Sequence, residues 1–163
     1  MKFETIRGKF SIQIPGNLLE DVPTKAAFIL RSQTWRSLYK NRIYGAEYCL
    51  IDNVKQPSEI PALLELMTNT IKDGYFIEGG LFSKTLFKKG SVDCLKSIIF
   101  GRPNADMHES FEKYNLPIES NLVYRIDITC CQRNRIVKAY MTTTDQEQLK
   151  LGKKYLRTLQ LKF

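Results

Sequence analysis

The stretch Leu122-Val-Tyr-Arg-Ile-Asp-Ile-Thr-Cys-Cys131 decides the fold class. Leu122, Tyr124, Ile126, Ile128 and Cys130 fall on one face of an extended chain, and Val123, Arg125, Asp127 and Thr129 on the other. A period of two belongs to a strand, because successive side chains of an extended backbone point to opposite faces. Gln132-Arg133-Asn134 turns the chain and 135–143 returns, which predicts an antiparallel hairpin. Thr144 and Glu147 have capping-box spacing and predict the start of a last helix. In that helix Leu149, Gly152 and Leu156 make a narrow packing face. Lys150, Lys153, Lys154 and Arg157, at i, i+3, i+4 and i+7, form a basic stripe on another face. Leu159, Leu161 and Phe163 alternate as a closing strand.

Upstream, the same reading gives strands over 10–14, 26–30 and 44–53, with a weaker one at 33–39. Pro15-Gly16-Asn17 and the neighbourhood of Asn41 read as turns. The clearest helix follows Ser58, its expected N-cap, with Glu59 suited to the helix dipole and Pro61 in the first turn. Ile60, Leu63, Leu64, Met67 and Ile71 make one apolar stripe, and Gly74 is the expected stop. Two strands over 76–87 and 91–100 join through Lys88-Lys89-Gly90, and Gly79-Gly80 marks a turn or bulge. Gly101-Arg-Pro-Asn104 breaks the pattern. Residues 102–121 form a polar excursion with a helical turn or two around Met107, Phe111 and Tyr114.

The order is strands, helix, strands, helix, strand, joined mostly by hairpin-length links. It predicts an α+β fold: a mostly antiparallel sheet flanked by helices, an α/β/α sandwich. The 163 residues suit one domain, with 43% hydrophobic and 26% charged residues, an ordinary globular balance. No apolar run reaches the length of a membrane-crossing helix.

The formal charge is +8, unevenly spread: +4 over 1–57, −2 over 58–121 and +6 over 122–163. A basic surface favours acidic proteins or nucleic acid as partners. Two groups of residues are candidates for such binding. One is the last-helix stripe, Lys150, Lys153, Lys154 and Arg157, joined by Arg133 and Arg135 of the preceding hairpin. The other is the aromatic-basic stretch Trp35, Arg36, Tyr39, Arg42, with Lys40 and Tyr44, where rings stack bases and cations meet phosphates.

Catalytic signatures are missing. His108 is the single histidine and lies among acids in the polar excursion, without the surroundings of a catalytic base. There is no phosphate-cradling glycine motif. The four cysteines, Cys49, Cys94, Cys130 and Cys131, have no metal-binding spacing and read as small buried hydrophobes. Cys130 and Cys131 point to opposite faces and are poor partners for each other. These features predict no metal, no cofactor and no enzymatic activity. Reduced cysteines and an N-terminus without a signal sequence predict a cytoplasmic protein, although an exported mature form would read the same.

Three pieces resemble the PsbP-like superfamily, which includes a photosystem subunit, a Ran-binding nuclear-import factor and bacterial proteins of unknown role. They are Gly8-Lys-Phe-Ser-Ile-Gln-Ile-Pro-Gly16, the strand-helix unit from Tyr48 through Ile71, and the ending that closes in Tyr155-Leu-Arg-Thr-Leu-Gln-Leu161. Thr158 and Leu159 stand where Ser and Phe are usual in bacterial members. The resemblance implies a sheet of about seven strands flanked by helices, and a non-catalytic binding habit. The reading is therefore a binding or adaptor protein that engages an acidic protein partner, with nucleic acid as the alternative.

Overall fold

β-branched and aromatic residues at a period of two carry most of the chain into strands. The computed structural model describes residues 2–4, 10–21, 28–113 and 122–163. Its strands are β1 (Lys2–Glu4), β2 (Phe10–Gln13), β3 (Leu19–Asp21), β4 (Ile29–Leu38), β5 (Ile43–Ile51), β6 (Phe76–Lys89), β7 (Val92–Pro103), β8 (Val123–Gln132), β9 (Arg135–Thr143) and β10 (Gln160–Leu161). Its helices are α1 (Ile60–Tyr75), α2 (Ala105–Lys113) and α3 (Leu149–Arg157).

Seven strands form one antiparallel sheet in the order β3-β4-β5-β9-β8-β7-β6, and β1, β2 and β10 form a smaller one. α1 and α2 lie over one face of the large sheet, burying Ile60, Leu64, Ile71, Met107 and Phe111. α3 and the small sheet cover the other, where Phe10, Ile12, Tyr155 and Leu156 pack on Tyr44, Ala46, Ile126 and Met141. This is the predicted α+β sandwich.

Both faces of the central strands are buried, so every residue of 123–131 except Tyr124 is withdrawn from water. α3 sits close because Gly152 has no side chain. A Cβ there would collide with Ile126 and come within 3.0 Å of Met141 Cε.

Several local expectations need correction. The strands expected at 26–30 and 33–39 are one strand, β4; residues 26 and 27 lie outside the described residues. Its hairpin with β5 turns through Lys40 and Asn41 at φ 50° and 57°, the conformation a two-residue primed turn requires. Ser58 does not cap α1; Glu59 is the N-cap and its carboxylate accepts the Gln56 N–H at 2.7 Å.

Gly74 does not end α1, because Asn104 does the work of a C-terminal glycine. Its side-chain amide donates to Gly74 O at 2.6 Å and its backbone N–H to Tyr75 O at 2.9 Å. Nor do residues 101–104 break the sheet: β7 runs through Pro103. α2 supplies the expected helical turns, and Tyr114 with the rest of 114–121 lies outside the described residues. The last helix is capped by Asp145 instead of Thr144: Asp145 Oδ1 accepts the Glu147 N–H at 2.9 Å, and a short 3-10 turn leads into α3. Gly79-Gly80 is a bulge, marked by register shifts at Ile77/Gly80 and Leu81/Ser83.

All four cysteines are buried. They are not all free thiols, however. Cys94 and Cys130, directly opposite on β7 and β8, form a disulfide. Cys49 and Cys131 are the free pair.

Candidate basic groove

The covers on the α3 side run out at β7. α3 packs on β8, β9 and β2, and the outer strands β6 and β7 continue past it. On that face the alternation presents Phe87 and Lys89 from β6, Lys96 from β7 and Ile128 from β8. α3 turns Lys153, Leu156 and Arg157 toward the same place. Together these seven residues line a groove of about 210 Å³. Its floor is apolar (Phe87, Ile128, Leu156) and its walls carry four cations and no acid.

The lack of acids has a local cause. α3 reads Leu-Lys-Leu-Gly-Lys-Lys-Tyr-Leu-Arg, without a carboxylate. Asp93 belongs to the opposite face by alternation, where it pairs with Lys88 at 2.8 Å. Partial burial lowers the pKa of the Lys89 ammonium below its usual value. A neighbouring anion would relieve that penalty.

Beyond the groove the same open face ends in an aromatic stack. Phe82 lies on Phe100 with centroids 4.1 Å apart and faces Tyr124 at 6.1 Å. Phe82 is half exposed. Gly80 makes room, since a Cβ there would press into the Phe100 ring.

The predicted binding residues divide among several places. Lys153 and Arg157 converge with Lys89 and Lys96. Lys150 and Lys154 are exposed on α3 but do not line the groove. Arg133, at φ 58° in the β8–β9 turn, and Arg135 line a separate hollow of about 510 Å³ with Val54, Gln132 and Asn134.

The aromatic-basic stretch does not form one surface. Trp35 is 6% exposed and packs edge-on against Phe10, and Tyr44 packs the same way against Tyr155. Neither ring is available to stack on a base. Tyr39 is exposed beside Lys40, whose ammonium lies 5.3 Å from its ring centroid. Arg42 donates to Lys40 O at 3.1 Å. Arg36 belongs to the opposite face of β4 from Trp35 and borders a hollow of about 30 Å³ with Tyr75, Arg125 and Tyr140, room for about one water.

A polar band under α1 was not foreseen. Arg125 pairs with Asp127 at 2.8 Å, Lys138 with Glu47 at 3.2 Å, and Cys49 Sγ donates to Glu47 at 3.1 Å. Burial, then the Glu47 carboxylate, push the Cys49 thiol far above its ordinary range. A protonated, enclosed thiol is a poor nucleophile. His108 is exposed on α2. Among the described residues no three His, Cys, Asp or Glu side chains are grouped to hold a metal, and no helix is long and apolar enough to cross a membrane.

The arrangement of strands and helices is that of the PsbP-like fold. The solution structure of cyanobacterial PsbP (CyanoP) from Synechocystis sp. PCC 6803 is similar over 99% of this chain and 92% of that one, with a TM-score of 0.64 and 10% sequence identity. At that identity the likeness defines the fold alone. No family model matches the sequence, and no curated protein matches it.

Proposed function

We propose that this protein is a non-enzymatic binding module whose groove between α3 and the β6–β7 face holds an acidic protein partner. The observation that carries this reading is the convergence of Lys89, Lys96, Lys153 and Arg157 around an apolar floor without a lining carboxylate. Cations supply attraction and orientation, and Phe87, Ile128 and Leu156 supply area to bury. A nucleic-acid role through the same cations has less support, because Trp35 and Tyr44 belong to the core.

The Cys94–Cys130 bond supports an oxidising compartment over the cytoplasmic one expected from the cysteine pattern.

The test is affinity capture with native mass measurement at low and high salt, using the natural chain and a Lys96→Glu/Lys153→Glu/Arg157→Glu variant. An acidic partner retained at low salt and lost in the variant supports the reading. Equal retention by both chains, or no partner at low salt, overturns it. The cations of α3 contribute little to the core, so Lys153→Glu/Arg157→Glu alone should change stability by no more than about 1–2 kcal/mol, part of it from placing an acid in the last turn of α3.

A further inference from the structure

Among the described residues no strand lies beyond β6, so the large sheet ends in a fourteen-residue edge. Its first half is irregular, with Glu78 at φ 55° and register shifts at Ile77/Gly80 and Leu81/Ser83. Such bulges blunt an edge against pairing. From Ser83 to Lys89 the register with β7 is unbroken.

The hydrogen-bond phase of this regular half follows from the registers. The Ile51 N–H donates to Asn134 O, so odd positions of β5 and even positions of β9 exchange bonds. Alternation then turns the odd positions of β9 to the even positions of β8, and the odd positions of β8 to the odd positions of β7. Cys94–Cys130 is thus a pair without mutual backbone bonds, consistent with its short 4.0 Å Cα separation. Cys94 and Lys96 of β7 direct their backbone groups to Phe87 and Thr85. The N–H and C=O groups of Lys84, Leu86 and Lys88 therefore point away from the sheet, along the open edge.

We propose that this edge receives an extended acidic polypeptide segment as an added strand, a reading that rests on the acidic partner inferred above. Main-chain bonds to Lys84, Leu86 and Lys88 would hold the segment. Its side chains on the α3 face would stand beside Thr85, Phe87 and Lys89. Carboxylates there meet Lys89 first, with Lys96, Lys153 and Arg157 lining the trough behind. On the α1 face the segment would cover Leu86, which is 44% exposed.

Charge selects the occupant. A second copy pairing antiparallel about Leu86 would set Lys84 of each chain opposite Lys88 of the other, and like charges directly opposite are destabilising. An alternating segment avoids that clash: its Glu side chains on the α3 face stand beside Lys89, and its apolar ones lie opposite Lys84 and Lys88, which keep their pairs with Glu65 and Asp93.

The experiment uses the whole chain and a fluorescein-labelled peptide of alternating Glu and Val. Two copies N-methylated at alternate amides, one in each phase, an alternating Lys and Val peptide and an oligothymidylate serve as comparisons. Binding is followed by anisotropy and amide exchange at low salt. The proposal expects the Glu peptide to bind and to slow exchange of the Lys84, Leu86 and Lys88 amides. N-methylation in the edge-facing phase should weaken binding by about tenfold. Leu86→Pro should do the same; its lost N–H faces outward and takes nothing from the β7 ladder.

Unchanged affinity for the N-methylated peptides in both phases, with no amide protection, overturns strand addition and leaves the groove reading standing if Lys153→Glu/Arg157→Glu still abolishes binding. Failure of the Glu peptide to bind, or equal binding of the Lys peptide, overturns both. Preference for oligothymidylate, lost on the same charge reversal, replaces both with nucleic-acid binding.

Discussion

Arg125 and Asp127, two positions apart on β8, meet side by side in a two-pronged ion pair, Nε to Oδ2 and Nη2 to Oδ1, each at 2.8 Å. Their side chains are 7% and 2% exposed, and the guanidinium lies 3.8 Å from the Tyr140 ring centroid. Burial would lower the guanidinium pKa, but the adjacent Asp127 carboxylate more than offsets this and holds it above the ordinary arginine value. Asp127→Asn keeps the shape and strands a buried cation, so it should destabilise by about 3–5 kcal/mol. Replacing both residues with apolar ones of similar volume should cost much less. Denaturant unfolding of Asp127→Asn and of the double variant measures the difference.

Gly152→Ala adds a methyl where α3 meets Ile126 and Met141. Helix propensity favours alanine by about 1 kcal/mol, while overpacking costs about 1–3 kcal/mol. The second effect should win because the nearest atom is Ile126 Cγ2, on a stiff β-branched side chain with no exposure to water. A lower midpoint of thermal unfolding, with displaced Ile126 methyl resonances, is the expected result.

The free thiols make stability fall in alkali. Burial, then Asp93, push Cys131 from the ordinary thiol value up to about 11, and Cys49 is raised further by burial and Glu47. Well below pH 9, the ordinary thiol value, both thiols are protonated in folded and unfolded chains and add no pH dependence. As pH rises from 9 toward 11 the unfolded thiols ionise first and draw the equilibrium away from the native state. At pH 8 a thiol-exchange reagent should leave both unmodified until denaturant is added, and should then count two.

Cys94→Ala/Cys130→Ala removes a link across 36 positions of sequence. Loop-closure entropy puts the loss at about 2–4 kcal/mol. Unfolding curves of the variant, compared with the oxidised protein, check the value.

Most of the longer strands could be read from sequence because a period of two survives in them; β1 and β3, three residues each, were not read. The β8 alternation places Ile126, Ile128 and Cys130 on one face as expected, and that face proves to be the α3 side. The cation stripe of α3 was legible for the same reason, from a single period. What joins it could not be read: Lys89 and Lys96 are far from Lys153 along the chain, and only the strand order β8-β7-β6 sets them beside α3. The disulfide was hidden likewise, since Cys94 opposite Cys130 is a matter of register. Arg125 and Asp127 did leave a signal: opposite charges two apart on a strand whose other face is wholly apolar. It has meaning only once both faces are known to be covered. Trp35 misled because a local cluster of rings and cations looks the same whether the rings point in or out.

The covalent link between β7 and β8 has a mechanical consequence. Force applied at the rim of a sheet parts backbone bonds one after another, as a zipper opens. Stripping β6 from β7 meets only that soft resistance. β7 cannot then come fully away from β8, because the sulfur atoms tie the third residue of β7 to the third from the end of β8. Anything tugging on this protein from its outer strand would loosen one ribbon and come to a hard stop at the next.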